Sequence, residues 1–320
     1  MKTTKLYLMA LAIGLFMSCD NDTNSSSESL ENSVALKAPQ PRFMELPNPE
    51  ASKNAMIDLM AKGKYGYAVY MAEYITADGR EEMGNTVFFR DLGNKQLAGD
   101  FVPALSSLTD GTPDITYYVD NNRPSLDLSD ATTEAAIDRA MGTWDDVTCS
   151  ELGMTKVAYD GRPTGFIAAL LGDPNGSFAY VSDVTHSGWL PRSFFDLIAE
   201  NGGDFILGVT FTIVFTDGSG NLIDTDNNNK YDIAWREIYY NDGFSWNDGS
   251  TYDVETIALH EAGHGLSQGH FGTAFLSSGN GKLHFSPRAV MNAAYSGVQT
   301  SIQQTDKAGH CSNWSQWPNN

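Results

Sequence analysis

The sequence predicts an α+β protein, and three observations carry that reading. Alternating or continuous apolar runs rich in β-branched and aromatic residues read as strands. They include Tyr65-Gly-Tyr-Ala-Val-Tyr70, Asn85-Thr-Val-Phe-Phe89, Ile115-Thr-Tyr-Tyr-Val119 and the run FILGVTFTIVF at residues 205–215. Residues 129–147 instead place Ile137, Ala140, Met141, Trp144 and Val147 on one helical face, with Ser129 or Asp130 placed to cap the start. A second helix is expected through Val254, Ile257, Ala258 and Leu259 into His260 and His264, with Thr251 or Asp253 as its cap.

From the N-terminus, the first nineteen residues read as an export signal. Lys2 and Lys5 form a charged end, and residues 6–17 form an apolar run too short to span a bilayer. The run closes in Leu15-Phe-Met-Ser-Cys19, which resembles a bacterial lipoprotein box. That resemblance implies a lipid on Cys19 and an exported protein anchored to the outer membrane or cell surface; plain secretion is the alternative. Residues 20–48, rich in Asp, Asn, Ser, Glu and Pro, read as a disordered tether. Residues 49–112 are expected to be an N-terminal extension or pro-segment, with a short helix at 49–62 followed by strands. Residues 113–320 form the main domain. No later run is long enough to cross a membrane, so a lipid would be the only membrane contact.

The chain has a formal net charge of −20. A protein that neutralises phosphates needs a basic face, so nucleic-acid binding is excluded as an expectation. If Cys19 carries lipid, Cys149 and Cys311 are left. An even pair in an exported chain suggests one disulfide, two free buried thiols being the alternative.

The run His260-Glu261-Ala-Gly-His264-Gly-Leu-Ser-Gln-Gly-His270 holds three of the chain's six histidines. Positions four apart lie on one helix face, so His260 and His264 can share a divalent metal, most plausibly zinc. Glu261 leans over the same site without binding, as a general base would. Glycines at 263, 265 and 269 end the helix soon after His264 and let the chain swing His270 back. No glutamate follows Glu261, so the third ligand is sought among His270, His284, His310, Asp306 and Cys311. His270 fits a helix, a turn and a return; His284 is second.

This run resembles the metzincin signature, in its matrixin branch. The segment Arg288-Ala-Val-Met291-Asn-Ala-Ala-Tyr295 is similar to the matrixin methionine turn, which implies Met291 beneath the metal and Tyr295 beside it. Gln304-Thr-Asp306-Lys-Ala-Gly309 is similar to the start of the last matrixin helix. The resemblance covers residues 113–310 and implies a twisted mixed sheet over two long helices, with a small irregular C-terminal subdomain. One position departs from it: Ser267 stands where the family has a glycine turn. Either the turn moves to Gly269, or Ser267 is strained. The family's cysteine latency device is missing, because no cysteine lies between Cys19 and Cys149.

Two loops complete the reading. Asp224, Asp226, Asn228 and Asp232 put oxygen side chains at alternate positions, a pattern that suits calcium; a plain polar hairpin is the alternative. Glu237 falls just beyond the place where a calcium loop closes. Asp183 and His186 faintly resemble a second zinc site, but its partner histidines are missing, so a satisfied core or loop histidine is expected. The chain is therefore expected to be a zinc-dependent endopeptidase acting on protein or peptide. The rival is a non-catalytic, surface-displayed binding lipoprotein that keeps the same fold.

Overall fold

A computed structural model describes residues 34–46, 65–78, 82–106 and 114–319. The expected export signal with Cys19, and the expected helix at 49–62, lie outside the described residues. The described strands are β1 (Val34–Ala35), β2 (Arg42–Phe43), β3 (Gly66–Thr76), β4 (Thr86–Phe88), β5 (Gly99–Asp100), β6 (Ile115–Val119), β7 (Met154–Lys156), β8 (Val184–Leu190), β9 (Ile206–Thr216), β10 (Tyr231–Asn241), β11 (Thr273–Leu276) and β12 (Leu283–Ser286). The described helices are α1 (Pro103–Ser106), α2 (Asp130–Asp145), α3 (Phe166–Leu170), α4 (Arg192–Asp196), α5 (Val254–Gly265) and α6 (Gln304–Trp314).

The result is an α+β fold built on one large mixed sheet. Its strand order is β2-β4-β3-β9-β10-β8-β6-β7, with β5 pairing β10 off that path. β10, β8, β6 and β7 run parallel in succession, while β9 is antiparallel to both β10 and β3. The long strands β3, β9 and β10 are buried nearly throughout, so they read as continuous apolar runs rather than as alternation. Their residues divide between two cores. Ile75, Leu207, Ile238 and Tyr240 face one side, where α2 and α5 bring Ile137, Met141, Trp144 and Leu259. Val69, Phe211, Ile213 and Tyr239 face the other, under α3 and α4.

The two long helices that face the larger core start at side-chain caps. Ser129 accepts from the Thr132 amide to open α2, and Asp253 accepts from the Thr256 amide at 2.8 Å to open α5. The two helices are tied together by Trp144, whose indole N–H donates to the Leu259 carbonyl at 2.8 Å. α3 is capped from the sheet: the Glu237 carboxylate accepts from the amides of Phe166 and Ile167 at 2.8 and 2.9 Å. Glu237 therefore closes no cation loop.

Two expectations change. Residues 34–46 do not belong to a free tether. β1 pairs with β11 and β2 with β4, because those edges offer unpaired backbone groups. Met44 and Leu46 then pack on the core. Residue 112 is likewise no boundary within the sheet. β3 from the expected N-terminal extension sits between β4 and β9 of the same sheet.

Cys149 and Cys311 form a disulfide across 162 residues, stapling the end of α2 to α6. His186 lies in β8 as a core histidine, with Nδ1 2.7 Å from the Tyr240 hydroxyl and Nε2 3.4 Å from the Met141 sulfur. Its neighbour Asp183 accepts from the Thr116 amide and hydroxyl, so the pair belongs to the sheet rather than to a second zinc.

Burial depresses the pKa of His186 to about 3, and that of His310, stacked on Trp144, to about 4. Unfolded, both titrate near 6.5, so between those values the unfolded chain binds more protons. Stability should rise with pH across this window and be lost as pH falls below about 6.5. Urea unfolding of His310→Phe between pH 4 and 7 should show a flatter acid limb than the parent; an unchanged limb would remove His310 from the cause.

Candidate metal centre

The centre is built on α5 and the turn behind it. α5 ends at Gly265. The chain turns at Ser267, whose φ is +67°, and not at Gly269. Left-handed backbone costs a non-glycine residue about 1–2 kcal/mol, so the turn needs compensation. Three contacts supply it. The Ser267 amide donates to the His264 carbonyl at 3.0 Å. Its carbonyl accepts from Asn313 Nδ2 at 2.9 Å, and its hydroxyl accepts from Arg236 Nη2 at 3.2 Å. Arg236 is fully buried on β10, so a glycine at 267 would leave that guanidinium bond unmade.

The turn delivers His270. Its Nε2 lies 3.2 Å from Nε2 of His260 and 3.1 Å from Nε2 of His264. Ligand nitrogens about 2.0–2.1 Å from a tetrahedral zinc stand roughly 3.3 Å apart, so the spacing fits that ion. The tautomers fit as well. Nδ1 of His260 donates to the Val290 carbonyl and Nδ1 of His264 to the Gln268 carbonyl, each at 2.6 Å. Both leave a lone pair on Nε2. Burial pushes all three imidazoles below their ordinary pKa, His260 to about 4, so they stay neutral.

The other ligand candidates stay away. His284 lies on β12, stacked on Phe275. His310 stacks on Trp144, and Cys311 is in the disulfide. Asp306 is fully buried and accepts from the amides of Val290, Met291 and Gln303. It thus holds the methionine turn and opens α6. Met291 packs against α5 where Gly263 leaves room: a Cβ there would stand 2.3 Å from the methionine sulfur. Tyr295 is buried nearby, its ring edge-on to Tyr252.

Glu261 is fully buried between α5 and β9. Its Oε2 accepts from the Thr210 hydroxyl at 2.6 Å, while Oε1 has no hydrogen-bond partner among the described residues. Burial raises its pKa well above the ordinary carboxylate range; Thr210 and the Ile75 amide oppose this, and Glu73 adds to it. Gly208 makes the close approach possible, since a Cβ there would stand 3.0 Å from Glu261 Cγ.

Glu73 of β3 went unnoticed in the sequence. Its carboxylate lies 3.5 Å from His264 Nδ1, and burial lifts its pKa to about 7 against the pull of Arg236. The one signal was an acid inside an otherwise apolar strand, Gly66–Thr76. Thr210, Arg236 and Gln268 left no signal, because each reaches the centre only through the sheet or the turn.

The second expected cation loop also gathers. Carboxylate oxygens of Asp224, Asp226 and Asp232 lie within 4.8 Å of one another. Asn228 sits beside them, its Nδ2 3.1 Å from Asp226 and 2.8 Å from Asp100. Asp100, buried on β5, is a partner the sequence did not reveal.

Compared with known proteins, the chain matches no protein-family model and no curated protein.

Two outcomes are expected. Ser267→Ala keeps the strain and loses the Arg236 bond, so it should cost about 1–3 kcal/mol in urea unfolding, whereas Ser267→Gly relieves the strain and should stay near the parent. Equal losses for the two would refute the strained turn. At the acidic loop, millimolar calcium should raise the thermal midpoint of the parent but not of Asp226→Asn/Asp232→Asn. No shift in the parent would identify a plain polar hairpin.

Proposed function

We propose that the protein is a zinc-dependent endopeptidase of metzincin-like, matrixin-type fold. The observation that carries this reading is the convergence of three neutral imidazoles with a buried carboxylate from the same helix turn. Support for the fold comes from the mixed sheet covered by α2 and α5, and from Met291 packed under Gly263.

His260, His264 and His270 would hold the ion, leaving a fourth position open. Zinc bound there supplies Lewis acidity, polarising a carbonyl and making water more acidic. The chain's own groups do the rest. The Val290 and Gln268 carbonyls fix the tautomers of His260 and His264. Glu261 receives a proton from the attacking water and passes it to the leaving amine. Thr210 holds one carboxylate oxygen, and the other has no hydrogen-bond partner among the described residues and is left to act. Calcium at Asp224, Asp226 and Asp232 would be structural, tying the turn between β9 and β10. The protein is proposed to be exported and anchored through Cys19. Among the described residues no helix is long and apolar enough to cross a membrane.

Glu261→Gln should keep one zinc per chain and lose at least about 100-fold in turnover of protein substrate, the range for removing a general base. Peptide hydrolysis with and without a chelator is the measurement. Undiminished cleavage by the variant would sink the mechanism. No chelator-sensitive cleavage by the zinc-loaded parent, with the internal cover described below opened, would favour the non-catalytic binding lipoprotein.

A further inference from the structure

A polypeptide that is cut at the three-histidine centre has to lay an extended backbone beside it. In the folded chain that place is taken. β3 pairs antiparallel along the free side of β9, from Gly66 opposite Thr216 to Thr76 opposite Ile206. Its last residues lie on the chemistry: Ile75 stands opposite Gly208 of β9, the residue that lets Glu261 approach, and Glu73 reaches His264. The chain then crosses to the opposite wall. Thr76 bridges Ala294, and its carbonyl accepts from the Tyr295 amide at 2.8 Å. On the return, the Gly84 amide donates to the Ala293 carbonyl at 2.6 Å. A Cβ at residue 84 would stand 2.6 Å from that carbonyl and 2.9 Å from His270 Cε1. Only a glycine can lie this close to the third ligand. His260, Glu261 and His264 are left with no exposed surface.

We infer that Glu73–Thr76 and Gly84–Asn85 are an internal occupant of the polypeptide groove, so that the folded full chain is closed to polypeptide until they are displaced. This rests on the peptidase reading of the centre. The occupant copies what an extended ligand would offer, backbone hydrogen bonds to a sheet edge on one side and to residues 293–295 on the other. The two halves differ in strength. Residues 66–72 of β3 are buried nearly throughout and anchor the segment, while Glu73–Thr76 stand at its end. The Gly84 side is held by a few backbone contacts, and its neighbours Asp78 and Glu82 are exposed, so opening starts there. Beside His270 lies a cavity of about 400 Å³, walled by Gly84, Asn85, Phe271 and the N-terminal Leu36 and Pro39. That volume suits a small molecule and not an extended chain.

The test uses the zinc-loaded full chain carrying Glu261→Gln, so that binding is read without turnover. Affinity for fluorescent unfolded casein is measured by anisotropy in three forms: this chain, the same chain with Gly84→Val, and the same chain cut at a site-specific protease sequence placed between Asp78 and Glu82. Gly84→Val cannot keep its approach to Ala293 and His270. Both opened forms should bind at least about tenfold more tightly, the factor for removing a competing internal contact worth one to two hydrogen bonds. Zinc content and thermal melts check that each form is folded; if Gly84→Val is not, the cut chain decides alone. Equal affinity of closed and cut forms overturns the inference. A cut chain with Glu261 intact that binds casein tightly without hydrolysing it overturns the peptidase reading and leaves the occupant standing.

Discussion

The Nε2 atom of His270 lies 3.2 and 3.1 Å from those of His260 and His264, and three imidazoles can crowd so only while all are neutral. Charged, they would repel one another in a site with almost no water to screen them. Much of the surrounding structure meets that constraint. Burial keeps the rings uncharged, and two backbone carbonyls orient the rings of α5. Those carbonyls are held in turn: Val290 by the methionine turn on Asp306, Gln268 by the turn at Ser267. The centre is therefore as rigid as the two turns that back it.

The turn at Ser267 shows how such a constraint is met without the usual residue. Glycine would adopt the left-handed conformation freely but could offer nothing to Arg236. Serine is strained there, and its hydroxyl accepts the buried guanidinium. Arg236 in turn balances Glu73 beside His264. The departure from the matrixin pattern and the appearance of a buried acid on β3 are thus parts of one arrangement, linking the third ligand's turn to a strand far away in the chain.

That strand also couples the centre to its own concealment. The groups that neighbour the three histidines and Glu261, from Glu73 to Gly84, come from that strand and the segment that follows it. In this arrangement Glu261 is fully buried and a cavity of about 400 Å³ lies beside His270.

How much of this was legible in the sequence follows from distance along the chain. The three histidines lie within eleven residues, where helix spacing and glycine placement are local physics, so the convergence of His260, His264 and His270 could be read directly. The same holds for the caps at Ser129 and Asp253 and for α2, whose apolar stripe repeats every turn. Cysteine counting, with Cys19 set aside, pointed to the pair Cys149 and Cys311. The tertiary structure alone decided where β3 goes. A strand buried on both faces has an apolar run and no periodic sign of its neighbour, so Gly66–Thr76 reads the same in an extension as in the middle of a sheet. Long-range pairing then chose which of its residues met the metal centre. Thr210, Arg236 and Asp100 became neighbours of functional groups for the same reason: backbone register between distant strands placed them there, and register leaves no local trace in sequence.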